Sequence, residues 1–100
     1  LDMRAGTVIA AQPFPNARRS AYKLWIDFGG LGIKKSSAQI TELYSLDELV
    51  GRQVIAVVNF PPKQIADFMS ECLVLGVYNQ QQQVVLLLPD KQVQNGGKVG

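Results

Sequence analysis

The chain has no histidine and a single cysteine, Cys72, and these two shortages exclude whole classes of chemistry. Without histidine the commonest general base is missing, and with it every Ser/His/Asp or Cys/His triad. The spacings by which histidine and cysteine hold zinc cannot be assembled, and one thiol cannot close an internal disulfide. Only scattered carboxylates remain for acid–base work, so the sequence predicts a protein that is not an enzyme, binds no metal and needs no cofactor. Long apolar runs are missing too. A run such as Val54 to Val58 falls far short of the roughly 20 residues that a membrane-spanning helix needs. No basic segment followed by an apolar one marks the N-terminus as an export signal. The expectation is a soluble, cytoplasmic protein with no membrane partner. The first residue is Leu1 rather than methionine, which leaves room for a natural segment ahead of it.

What is present is apolar and unevenly charged. At 100 residues, 47% of them hydrophobic, the chain has the size of one domain, residues 1–100, with one modest core. A net charge of +2 says little by itself, but its distribution says more. Arg18–Arg19 and Lys34–Lys35 are adjacent pairs, and Lys63 follows two prolines, while Asp47 and Glu48 share a different segment. That pattern fits a local basic face, and equally fits solvated loop charges kept for solubility.

Turn signals divide the chain into short strands. Gly6 to Ala11 and Tyr22 to Phe28 are the first two. The second places Tyr22, Leu24, Ile26 and Phe28 on one face and Lys23, Trp25 and Asp27 on the other, as a half-buried strand requires. Gln12 to Ala21, with two prolines and two arginines, is too irregular for a ladder and too polar for a core, and is expected as a basic loop. Gly29–Gly30–Leu31–Gly32 suits a tight reversal into a third strand at Ile33 to Gln39. In Ser45–Leu46–Asp47–Glu48 the serine can cap a helix while Glu48 reaches back to the serine N–H, and Gly51 ends the turn. Val54 to Val58 lacks alternation and reads as a strand buried on both faces. Cys72 to Tyr78 and Val84 to Leu88 follow as further strands, with the glutamine run between them at a hairpin tip. About five strands with one short helix after the third match an all-β OB-fold, a five-stranded Greek-key barrel with the helix between strands 3 and 4 and a C-terminal extension. Other small barrels fit the same pattern.

Five segments in order carry a resemblance: Asp2-Met3-Arg4-Ala5-Gly6-Thr7-Val8, Lys34-Lys35-Ser36-Ser37-Ala38-Gln39-Ile40, Leu49-Val50-Gly51-Arg52-Gln53-Val54, Val58-Asn59-Phe60-Pro61-Pro62-Lys63-Gln64 and Ser70-Glu71-Cys72-Leu73-Val74-Leu75-Gly76. Together they resemble the tRNA-binding OB-fold domain family, which includes domains appended to some methionyl-tRNA synthetases and free-standing small dimers. Within it, KKSSAQIT and NFPPKQI are most similar to the CsaA-like branch, described as secretion-related chaperones. The resemblance implies a non-enzymatic homodimer that recognises tRNA by shape and backbone; the alternative is a chaperone that binds unfolded export precursor polypeptides.

The candidate RNA-binding residues are Arg18, Arg19, Lys34, Lys35, Ser36, Ser37, Gln39, Asn59, Phe60, Lys63, Gln64, Ser70 and Glu71. Pro61–Pro62 would fix the backbone beyond a rigid strand, so that Lys63 and Gln64 project from a stiff loop. Asn59 can bond a base edge or the backbone. Phe60 can stack on a base or fill the core. Lys34 and Lys35 alternate faces on a strand, so one of them is expected to contact phosphate. Ser36, Ser37 and Gln39 can donate to RNA, or satisfy neighbouring backbone. Glu71, beside a phosphate site, is assigned to orienting a lysine. Cys72 stands where the synthetase-type members have glycine, and is expected as a small core residue. A dimer is expected to bury a barrel edge and to order part of the tail, Gln92 to Gly100.

Overall fold

The computed structural model describes all residues from Leu1 to Gly100. In chain order its elements are β1 (Met3–Pro13), β2 (Tyr22–Asp27), β3 (Ile33–Ala38), α1 (Leu46–Leu49), β4 (Gln53–Val57), β5 (Lys63–Ile65), β6 (Phe68–Ser70), β7 (Leu73–Val74), β8 (Gly76–Tyr78) and β9 (Val84–Leu86). Five strands form an antiparallel sheet in the order β3-β2-β1-β4-β7, and β5–β6 and β8–β9 are separate hairpins. The register of β1 against β2 shifts between Val8 and Ala10; such a bulge bends the strand and lets it serve both sides of a barrel.

The alternation of β2 holds. Leu24 and Ile26, with Phe28 just beyond the strand, are fully buried, while Lys23, Trp25 and Asp27 keep part of their surface. Gln53, Val54, Ala56 and Val57 are all buried, so β4 is covered on both faces. Gly6 is required on β1, because a Cβ there would come within 2.7 Å of Ile26 and Phe28. The reversal after β2 is a single 3-10 turn flanked by Gly29 and Gly32 at φ 64° and 86°, backbone that favours glycine. At α1 the Glu48 N–H donates to Ser45 Oγ (3.4 Å) and the Ser45 N–H donates to Glu48 Oε1 (2.7 Å), which completes the capping box. Its Leu49 is buried in the barrel core.

The sheet curls until β3 meets the segment that links β6 to β7. The Glu71 N–H donates to the Lys35 carbonyl (2.7 Å), and the Lys35 N–H donates to Glu71 Oε1 (2.9 Å). Beside them the Ser37 N–H donates to Ser70 Oγ (3.1 Å), and the Ser36 hydroxyl donates to the Cys72 carbonyl (3.0 Å). The result is a nearly closed five-stranded antiparallel barrel with one short helix between β3 and β4, the OB-fold.

Three expectations are corrected, and the course of the tail is added. The first strand runs to Met3 and Pro13 rather than Gly6 and Ala11, because β4 pairs with its beginning and β2 with its end. Cys72 to Tyr78 is not one strand: β7 pairs with β4, and β8 turns away to pair with β9. Leu75 stands between, donating to Ile55 and accepting from Leu87. The prolines lead not into a stiff loop but into the β5–β6 hairpin. The tail, finally, is ordered within this one chain. Ala5 exchanges hydrogen bonds with Gly96 and Gly97, Val99 donates to Met3 (2.9 Å), and the Gln53 amide brackets the backbone of Val93. The free side of β1 binds the tail.

Candidate functional site

A second apolar cluster lies apart from the barrel core. Phe14 and Ala21 from the β1–β2 loop and Phe68 from β6 are buried together, with Ala17, Trp25 and Ile65 packed around them. Phe68 meets Phe14 and Trp25 edge to face, with centroids 5.5 and 5.7 Å apart, the geometry that aromatic quadrupoles favour. Residues 12–21 therefore do contribute buried side chains, contrary to the expectation of a segment too polar for a core. Phe14 between two prolines and Phe68 ahead of Met69 were the available signals, but neither shows a periodicity that names its partner.

The cluster carries two lysines of the sheet over its rings, and the loop and hairpin that build it expose further basic residues. The β1–β2 loop exposes Arg18 and Arg19, and the β5–β6 hairpin exposes Lys63; Asn16 ties the two by donating to Asp67 (3.2 Å). From the sheet, Lys23 Nζ sits 5.0 Å from the Phe14 centroid and 5.4 Å from that of Phe68, and Lys35 Nζ lies 5.2 Å from Phe68. The protein's single salt bridge, Arg4–Asp2 at 2.7 Å, is elsewhere, so none of these cations is neutralised by a carboxylate. Lys23 belongs to this cluster and escaped the sequence reading, which took it only as the polar side of a strand.

The other candidates are distributed as follows. Lys34 pairs with Ile26 and so lies on the opposite side of β3 from Lys35, which pairs with Trp25. Ser36 is fully buried, its hydroxyl given to Cys72, and is corrected from a contact residue to part of the barrel seam. Ser70 also serves that seam, accepting from the Ser37 N–H and donating to the Cys72 carbonyl (3.3 Å). Glu71 does not orient a lysine side chain; its carboxylate accepts from the Lys35 backbone N–H. Gln64 donates to the Ala66 carbonyl (2.8 Å) across the hairpin tip. Asn59 accepts from the Asp2 N–H (2.9 Å), a distant backbone partner. Phe60 is 42% exposed, which leaves its ring open to stacking, outside the aromatic cluster. Gln39 and Ser37, with Arg19, line a groove of about 760 Å³ whose other wall is apolar, from Leu73 through Val77 to Tyr78. Cys72 is a buried core residue, its thiol pushed up to about 11 by burial.

The chain as a whole is similar to known proteins. The family model described as "Putative tRNA binding domain" matches residues 3–98. Among curated proteins, the methionine–tRNA ligase of Nanoarchaeum equitans is 37% identical over 101 residues, covering 99% of this chain and 12% of the ligase. The chain thus spans about an eighth of the length of that relative. Among solved structures, the chaperone CsaA of Bacillus anthracis is similar at TM-score 0.94 and 53% identity, over 100% of this chain and 91% of that one. The CsaA chaperone of Picrophilus torridus follows at TM-score 0.93 and 50% identity, over 99% and 91% of the two chains.

Proposed function

The chain belongs to the tRNA-binding domain family, and from that premise we propose that it is a single non-enzymatic module that binds tRNA by shape and backbone and acts as a homodimer. One observation carries the reading: Lys23 and Lys35 stand over one aromatic cluster, the loop and hairpin that build the cluster expose Arg18, Arg19 and Lys63, and none of these cations forms a salt bridge. Uncompensated, preorganised positive charge suits a phosphate backbone, whose neutralisation releases counterions. The homodimer draws support from the apolar strip of Leu73, Val77, Tyr78, Val85, Leu87 and Leu88, all exposed along β7, β9 and their surroundings, since exposed contiguous apolar surface marks an interface.

The experiment is a salt titration of tRNA binding. The logarithm of affinity should fall linearly with log salt, by roughly 0.7 to 0.9 per phosphate neutralised. Lys63→Ala should weaken different tRNAs alike and lower the slope by about one. Unchanged affinity and slope would remove the β5–β6 hairpin from the interface. Monomer mass in sedimentation equilibrium throughout the micromolar range would remove the dimer.

A second reading, binding of unfolded polypeptide, is favoured by the CsaA neighbours and by the half-apolar groove along β7 and β8. Suppressed aggregation of a denatured protein at near-stoichiometric ratio, with no tRNA shift, would put it first.

A further inference from the structure

We infer that Lys23 and Lys35, held over Phe68, form a clamp for one backbone phosphate of the RNA, an assignment that rests on the tRNA-binding reading above. Lys23 pairs with Ser37 and Trp25 with Lys35, so the two lysines are diagonal neighbours on the same outward face, about 7–8 Å apart at the backbone. Both ammoniums lie within 5.4 Å of the Phe68 centroid. Cation–π attraction holds the two side chains, but it does not cancel their charge.

Three carboxylates on the surrounding elements bond neutral donors and not the lysine ammoniums. Glu71 accepts from the Lys35 backbone N–H, Asp67 from the Asn16 amide, and Asp27 from the Gly29 N–H at 2.8 Å. Two like charges are therefore drawn to one ring, and neither forms a salt bridge with a carboxylate. A single phosphodiester between the ammoniums relieves that repulsion and meets two charge-assisted donors. Phe68 acts as a positioning residue: its ring sets where both cations stand.

The test is a salt titration of tRNA binding with the full chain, comparing Lys23→Met, Lys35→Met and the double variant. Methionine keeps an unbranched apolar stem over the rings and removes the charge. With one shared phosphate, the double variant should lower the slope by roughly 0.7 to 0.9, each single variant by less, and the affinity losses should be non-additive. The double change to arginine keeps both charges and should keep the slope, which separates charge from packing should the methionine variants melt at lower temperature. A slope unchanged in the methionine double variant overturns the clamp while leaving tRNA binding intact. Additive losses of about one unit per lysine also overturn it, because they assign the lysines to separate phosphates. Wild-type protein that binds no tRNA overturns both the clamp and the reading beneath it.

Discussion

Inside the barrel, eleven buried side chains from five strands, the helix and the segments between them enclose one another; outside it, three buried side chains gather a loop, a strand and a hairpin under a layer of cations. The inner cluster is apolar with its few buried polar neighbours bonded, and no buried side-chain polar atom in the protein lacks a partner. The outer cluster is apolar beneath and charged above. The inner cluster holds the strands in register. The outer one holds Lys23 and Lys35 over the Phe68 ring and packs the loop that carries Arg18 and Arg19 against the hairpin that carries Lys63. A small apolar cluster outside a finished core thus serves to arrange charge, with less to contribute to stability.

The sharpest way to break this comparison is to cut one aromatic from each cluster. Phe28→Ala removes a fully buried ring from the barrel core and should cost about 3–5 kcal/mol, seen as a large fall in the denaturant midpoint, while the molecules still folded bind tRNA as before. Phe68→Ala should cost less, about 1–3 kcal/mol, because its cluster opens to solvent on one side. Its tRNA affinity should nevertheless fall about tenfold, which is 1.4 kcal/mol. Equal losses of stability with unaltered binding would erase the distinction between the clusters.

The smallest effect concerns Cys72, in the inner cluster beside the barrel seam. Burial raises its thiol from 9.0 to about 11. The unfolded thiol ionises first as pH rises, so the stability tied to the protonated form is complete below 9.0 and is lost on the way to about 11. Alkylation of the folded protein should stay slow through mildly alkaline pH and accelerate only on unfolding. Rapid labelling near pH 8 in the folded state would mean that the seam between β3 and the β6–β7 link opens readily.

Much of the fold was legible in local pattern. The alternation in Tyr22 to Phe28, the Ser45–Glu48 capping box, the glycine reversal and the doubly buried β4 each depend on a few neighbouring residues. The candidate site was legible only in part. Lys35, Lys63, Arg18 and Arg19 stood out as charges, but Lys23 did not, because its role comes from Phe14 and Phe68, which lie 54 positions apart in the chain. Ser36 and Ser70 suggest donors toward RNA and Glu71 a carboxylate that orients a lysine; a hydroxyl or a carboxylate in sequence does not reveal that its partner is the backbone of another strand.

The residues by themselves determined the strand periods, the helix cap, the turns and the likeness to a tRNA-binding family, because each is set by local sterics and hydrogen bonding or by ordered motifs. Only the tertiary structure decided that the Ser70–Glu71–Cys72 stretch closes the barrel, that the tail binds the free side of β1, and that Lys23 joins Lys35 over one ring. Those pairings unite distant parts of the chain. Their partners are chosen by which unpaired backbone groups and apolar faces remain once the sheet has curled, and no short window of sequence contains that choice.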